Sequence, residues 1–431
     1  MRLRTRLCLA ALAAAPLLAP PLRAQDGGPF KLIQPAGYAT PLVNSTASPA
    51  VLAGETLYLS GQSGRNPDGS LPADFKTEVA QSMARVADVL KAANMDNSNL
   101  AWLTVYVTDD ALIEPMNQVY WQHIGAHPPA RTILRVTALP NGEHVEINAI
   151  AALGQHREIW PTRWPHAAHT DPPAIAVKDV FYLSAQSGTD PATGKPPADY
   201  AAEVKQALDN VQTILKSASM TMANVVWVNP YVAERPEAPP AAAATPIAHN
   251  GQPTANSANS MNRIYATYFE FGHTPGRGTI TVAGLPQKQN IVFSVIAGAD
   301  LTKRKDIQTF NMPPSPTASP GCMYRDTYYM SGKSGFIPDQ GVVTQDIALQ
   351  ARQTMRNLQD DLQAANMTWT DNVFATIYMR EIKDTDTEYS IYKLFFKTPP
   401  LPAQTTLQQS TDMKTTTGEQ ITLIAVRQPK P

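Results

Sequence analysis

Val79, Met83, Val86, Val89 and Leu90 recur at three- and four-residue spacings, the period of a helix that buries one face. A short strand-turn phrase precedes this helix and occurs three times: LYLSGQSG ending at Gly64, FYLSAQSG ending at Gly188 and YYMSGKSG ending at Gly335. The helix that follows each phrase also ends alike, in LKAANM, LKSASM and LQAANM. Ser60 to Met95, Ser184 to Met220 and Ser331 to Met367 span 35, 36 and 36 residues, so the register hardly drifts.

Next comes a β-branched and aromatic strand, Leu100 to Val107, Val225 to Val232 and Val373 to Met379. A second helix then carries a tyrosine, in NQVYWQHI, NRIYATYF and YSIYKLFF. Two more strands close each copy, PPARTILRV then VEINAIAAL, TPGRGTITV then IVFSVIAGA, LPAQTTLQQ then QITLIAVRQ. Hairpin, helix, strand, helix, strand, strand predicts an α+β unit with a mixed sheet and both helices on one face. Ser60 to Ser184 covers 124 residues and Ser184 to Ser331 covers 147; the excess of 23 falls in a Pro/Ala-rich insertion at 235–258. This composition reads as a surface loop. The expected domains are 28–153, 157–300 and 304–431, with linkers near 155–169 and 302–319.

At 431 residues the chain exceeds what one core supports, in keeping with several domains. Residues 1–24 combine arginines, a short apolar stretch and an L-R-A cleavage signal ending at Ala24, which predicts a cleaved signal peptide and a periplasmic or secreted protein. The apolar stretch is broken by Pro16 and Pro20, too short to span a bilayer, and no later segment is apolar enough. Cleavage removes Arg2, Arg4, Arg6 and Arg23, leaving 31 basic against 36 acidic residues, a charge of −5. A mildly acidic chain without a basic patch argues against nucleic acid as a partner. Cys322 is the only cysteine of the mature chain, so no internal disulfide forms, and it reads as a buried small hydrophobe.

His123 and His127 stand at i and i+4 with His144 in the same copy, but no H-E-x-x-H or cysteine set accompanies them, so no metal site is expected. His166 and His169 share a linker with Trp160 and Trp164 and read as packing residues. Phosphate loops, dinucleotide fingerprints and nucleophile elbows are absent, and no cofactor is implied.

SGQ, a helix, a strand, N-x-x-Y, P-A-R, L-P and V-E-I-x-A-I-A follow one another within residues 57–153. That order resembles the Rid (YjgF, reactive intermediate deaminase) family; the second copy keeps the framework, and the third keeps the apolar pattern and the turns. The resemblance implies chorismate-mutase-like domains that trimerise with ligand clefts between neighbours. Three linked copies are therefore expected to form a monomeric, single-chain pseudotrimer.

In families that it resembles, an arginine holds the substrate carboxylate and a glutamate assists water in hydrolysing an imine to a ketone and ammonia. The matching residues are Arg131 and Glu146, with Asn117, Ser60 and Gly61 beside them. A guanidinium suits a carboxylate because its planar fork offers parallel hydrogen bonds at any working pH. The family's tyrosine ahead of the SG turn falls near Ala47, a departure that touches specificity. The second copy keeps Arg277 and Asn262 but has Val292 for the glutamate, so it can grip without activating water. In the third, Gln404, Gln420 and Tyr389 replace arginine, glutamate and asparagine.

Two functions follow as expectations. One is an exported protein hydrolysing small imines or enamines, 2-imino acids, at a single competent cleft with Arg131 and Glu146. The alternative is a non-catalytic periplasmic protein that binds a small carboxylate-bearing metabolite through Arg131 and Arg277. A ribonuclease finds no support in an acidic chain lacking a basic, aromatic-interleaved surface.

Overall fold

The computed structural model describes residues 30–36, 46–234, 260–310, 312, 314–338, 340–342, 344–410 and 417–428. The expected signal peptide at 1–24 and the insertion at 235–258 lie outside them. Repeat 1 runs β1 (Phe30–Ile33), β2 (Ala50–Ala53), β3 (Thr56–Ser63), α1 (Phe75–Ala92), β4 (Leu100–Val107), α2 (Ile113–Ile124), β5 (Ala130–Arg135) and β6 (Val145–Ala152). Its sheet has the order β1-β2-β3-β6-β4-β5, antiparallel except for the β4/β5 pair.

Repeat 2 follows the same plan with β7 (His156–Ile159), β8 (Ala174–Val177), β9 (Val180–Ser187), α3 (Tyr200–Ser217), β10 (Val225–Ala233), α4 (Ser260–Tyr265), β11 (Gly276–Arg277), β12 (Ile280–Val282) and β13 (Ile291–Gly298). Repeat 3 comprises β14 (Arg304–Ile307), β15 (Gly321–Tyr324), β16 (Thr327–Met330), α5 (Ile347–Ala364), β17 (Asn372–Met379), α6 (Thr385–Tyr392), β18 (Ala403–Gln408) and β19 (Glu419–Val426). In repeat 2 the strand equivalent to β5 is split into β11 and β12, both parallel to β10. The expected linkers contain structure: HREI of β7 and RKDI of β14 are the first edge strands of their sheets, paired to β8 and β15. Their charged residues sit on a sheet edge, where polar side chains reach water, so no alternation betrayed them.

The first long helix of each repeat starts at an aspartate whose carboxylate accepts from backbone N–H groups, Asp74, Asp199 and Asp346. Its apolar face packs on one side of the sheet; in repeat 1 Val79, Met83, Val86 and Leu90 meet Leu57, Leu103, Val105 and Ile147. Among the described residues no helix is long and apolar enough to cross a membrane.

The opposite sheet faces meet each other. Tyr58, Trp102 and Ile150 of repeat 1 share one buried cluster with their equivalents Tyr182, Trp227 and Ile296 of repeat 2 and Tyr329, Phe374 and Ile424 of repeat 3. A second shared cluster joins Tyr106, Tyr231 and Tyr378 with Leu134, Ile280 and Leu407. Equivalent residues of three copies can touch together only around a common axis, so the chain closes as a pseudotrimer. Cys322 is buried in the first of these clusters, and burial pushes its thiol up to about 12.

Candidate functional site

The SG turn interrupts its strand. The β3/β6 register shifts between Leu59 and Gln62, and the β9/β13 register shifts beside Ser184. Such bulges re-aim side chains, and here they turn a serine toward a neighbouring repeat. Ser60 Oγ donates to the Ser48 carbonyl at 2.6 Å and accepts from Gln404 N at 2.7 Å. Ser184 Oγ donates to Pro172 O at 2.7 Å and accepts from Arg131 N at 2.9 Å. Ser331 Oγ donates to Ser319 O at 2.5 Å and accepts from Arg277 N at 2.8 Å. The three serines thus stitch three seams, 1–2, 2–3 and 3–1, and each seam combines one repeat's SG turn with its neighbour's arginine strand.

At seam 1–2, Arg131 is buried with its guanidinium 3.9 Å from the centre of the Tyr120 ring. Nη1 donates to Asn117 Oδ1 at 2.9 Å, while Nε and Nη2 reach Asp171 Oδ2 at 3.0 and 2.9 Å. Burial raises the Asp171 carboxyl, and Arg131 pulls against that rise. Across the seam stand Ala185 and Val292, packed in one apolar cluster. The charge of Arg131 is therefore answered within the protein, and no acid-base group faces it from the glutamate position.

Seam 2–3 repeats the arrangement without the carboxylate. Arg277 Nη2 donates to Asn262 Oδ1 at 2.7 Å, Nη1 to Thr317 O at 2.9 Å and Nε to Thr279 Oγ1 at 2.9 Å, with the Tyr265 ring centre 4.9 Å away. Burial lowers its pKa. Among the described residues no carboxylate lies within ion-pair distance of it. The glutamate position here is Gln420, against Gly332.

Glu146 lies at seam 3–1. It lines a cavity of about 510 Å³ with Ala47, Ser60, Gly61, Arg85 and Glu143 of repeat 1 and Tyr389, Gln404 and Thr406 of repeat 3. Burial, with the neighbouring Glu143 as a lesser cause, holds its carboxyl well above the usual carboxylate range. A Cβ on Gly61 would overlap Glu146 Oε1, so the glycine is what lets the carboxyl lie against the turn. Gln404 stands where Arg131 and Arg277 stand at the other seams; its Nε2 donates to Thr406 Oγ1 at 3.1 Å, and Tyr389 Oη donates to the same oxygen at 2.8 Å.

The expectation that Arg131 and Glu146 work in one cleft is corrected by this geometry. They stand on opposite flanks of repeat 1, and ring closure sends Arg131 to repeat 2 and Glu146 to repeat 3. Asn117 goes with Arg131, Ser60 and Gly61 go with Glu146, and Asn262 goes with Arg277. None of the three seams joins an arginine of the P-A-R position to a glutamate of the V-E-I position.

Sequence models of protein families match this architecture. The model described as Endoribonuclease L-PSP matches residues 40–153, 163–253 and 314–426. The chain belongs to the Rid (YjgF) family. Among Rid relatives, the 2-iminobutanoate/2-iminopropanoate deaminase of Bos taurus is 40% identical over 109 residues, 25% of this chain and 80% of the relative. The human protein of the same name is 35% identical over the same length, with 25% and 80% covered. A RutC family protein of Aquifex aeolicus is 34% identical over 107 residues, covering 24% and 86%. The crystal structure of RidA from an Antarctic Psychrobacter is 31% identical, covers 28% of this chain and 98% of that one, and has a TM-score of 0.27.

Asp171 escaped the sequence reading. It occupies the position in repeat 2 that Ala47 holds in repeat 1 and Ala318 in repeat 3, ahead of the SG turn. The signal was an acidic residue at a position weighed only in repeat 1. Histidines lie elsewhere: His123 Nδ1 meets Val119 O at 2.9 Å, His144 is tied to Glu78, and His169 stacks on Trp121 of repeat 1 with ring centres 5.2 Å apart.

Proposed function

We propose that this Rid-family chain hydrolyses small imines, 2-imino acids among them, at seam 3–1, with Glu146 as the proton carrier. The observation that carries the reading is a buried glutamate that opens onto a cavity beside the Ser60–Gly61 turn, its carboxyl held by burial well above the usual carboxylate range. A carboxyl raised in this way keeps its proton to higher pH than an ordinary glutamate and is the better proton donor.

Glu146 protonates the imine nitrogen, and water adds to the iminium carbon while giving a proton back to the carboxylate. The resulting carbinolamine takes that proton on nitrogen, the C–N bond breaks, and the hydroxyl proton returns to Glu146 as the carbonyl forms. Ammonia and a keto product leave, with the acid regenerated. Similarity to 2-iminobutanoate/2-iminopropanoate deaminases over 109 residues supports this substrate class.

The test is ammonia release from 2-iminopropionate formed in situ. Wild type should exceed the spontaneous rate, and Glu146→Gln should lower kcat by about 100-fold or more. Turnover that survives Glu146→Gln overturns the reading.

A second reading, carboxylate binding without turnover, is favoured at seam 2–3, where Arg277 has hydrogen-bond acceptors but no carboxylate partner among the described residues. Pyruvate should stabilise the wild type against heat, and Arg277→Ala should reduce that effect. The arginine-rich, apolar segment at 1–24 supports an exported location, which fractionation of cells expressing the full chain would check.

A further inference from the structure

The cavity at seam 3–1 has lost its usual guanidinium to Gln404, yet it contains another. Arg85 projects from α1 into the same cavity as Glu146. Its Nη2 donates to Arg65 O at 2.6 Å, and its Nη1 lies 3.5 Å from Ser63 Oγ. Ser63 is the cross-strand partner of Glu146, which sets the guanidinium on the carboxyl's flank. The cavity's other acid, Glu143, is paired with Arg65 at 2.7 Å. Among the described residues Arg85 has no carboxylate within ion-pair distance.

Comparison of the repeats separates what the fold requires from what the cavity adds. The position of Arg85 on α1 is Asn210 on α3 and Asn357 on α5. Asn210 Nδ2 donates to Ser187 O and Thr189 O at 2.9 Å each, and Asn357 Nδ2 donates to Ser334 O and Phe336 O at 3.0 and 2.8 Å. Those carbonyls belong to the end of the SG segment and the loop after it, the loop that Arg85 braces through Arg65 O. A neutral asparagine therefore meets the structural demand. Positive charge stands there only in the repeat whose cavity has a glutamate, and at the one seam whose arginine strand carries no arginine.

We propose that Arg85 anchors the anionic end of the substrate in the Glu146 cavity and so selects small carboxylate-bearing imines there. The guanidinium uses one edge to hold the loop and offers its remaining N–H groups to a carboxylate. This rests on seam 3–1 being the hydrolytic site, and it adds which residue recognises the acid.

Arg85→Asn tests it, because repeats 2 and 3 fold with asparagine at that position. With 2-iminopropionate the variant should show KM raised by about tenfold or more with kcat less affected, the signature of lost ground-state binding. Hydrolysis of an imine of acetone, which has no carboxylate, should be unchanged. A second arm titrates pyruvate into Arg277→Ala protein, where the other carboxylate site is removed; adding Arg85→Asn should weaken that binding by about tenfold or more.

Unchanged KM and unchanged pyruvate affinity in Arg85→Asn overturn the proposal. Should Glu146→Gln turn over as well as wild type, the hydrolytic reading fails, and the pyruvate arm still decides Arg85. A variant that lowers kcat alike on both imines, with pyruvate affinity intact, marks Arg85 as a loop brace only and also overturns it.

Discussion

Asp171 holds the guanidinium of Arg131 across seam 1–2, with Nε at 3.0 Å and Nη2 at 2.9 Å from the same carboxylate oxygen. The carboxylate that the arginine of a Rid cleft is suited to receive is here supplied by the chain itself. Removing Asp171 leaves a buried cation unpaired, which costs about 3–5 kcal/mol in comparable pairs. Asp171→Ala should melt well below wild type in chloride buffer, and added acetate or pyruvate should restore part of the loss. Thermal melting with and without the acid measures both effects; equal response in wild type and variant would refute the view of Asp171 as a resident ligand.

The pairing of glycine with glutamate is a second relationship open to test. Repeat 1 has Gly61 against Glu146, repeat 2 has Ala185 with Val292, and repeat 3 has Gly332 against Gln420. Gly61→Ala should displace the Glu146 carboxyl, lower kcat nearly as far as Glu146→Gln, and cost about 1–3 kcal/mol by overpacking. Gly61→Ala combined with Glu146→Val reproduces the repeat 2 pair and should recover the stability while remaining inactive. Denaturant unfolding and the ammonia assay report the two effects separately.

The proposed mechanism uses Glu146 first as an acid, so the rate should be sustained through mildly acidic pH and fall as the carboxyl ionises. Burial places that fall well above the range of an exposed glutamate. A kcat/KM profile on 2-iminopropionate, corrected for the spontaneous reaction, checks it. A rate that instead rises with pH through neutrality would identify the carboxylate form as the active one.

Repeat 3 carries two buried glutamates where the other repeats are apolar. Glu388 and Glu419 replace Met116 and Val145 of repeat 1, and Met261 and Ile291 of repeat 2. Burial pushes Glu388 up to about 7 and, with Glu388 as a lesser cause, raises Glu419 well beyond the carboxylate range; Thr354 Oγ1 donates to Glu419.

Both folded-state values exceed the unfolded ones, so the unfolded chain releases these protons first as pH rises. The associated stability is present below the unfolded value of 4.5 and is lost as pH climbs through about 7. Melting temperature should therefore decline from acidic pH to pH 8. Glu388→Met with Glu419→Val should flatten that decline and raise stability at pH 8 by about 1–4 kcal/mol, the gain seen when buried charge gives way to packing.

Much of the architecture was legible because it is local. Helical spacing from Val79 to Leu90, the thrice-repeated SG phrase and the strand after each first helix depend on residues close in sequence, and side-chain period alone sets which face they bury. The sequence likewise determined that three similar units exist and that the copies differ at Glu146, Val292 and Gln420. Short edge strands such as β7 and β14 were hidden, since charged residues suit an edge as well as a loop.

Partnership across the seams was decided only by tertiary structure. Gln404 N and Ser60 Oγ meet 2.7 Å apart although 344 residues separate them, and no periodicity encodes that approach. Closing three copies around an axis gives each repeat two different neighbours, so residues on its opposite flanks enter different cavities. That circular geometry parted Arg131 from Glu146 and set Asp171 on one and Tyr389 and Gln404 beside the other, while the packing of α1 on its own sheet brought Arg85 to the glutamate.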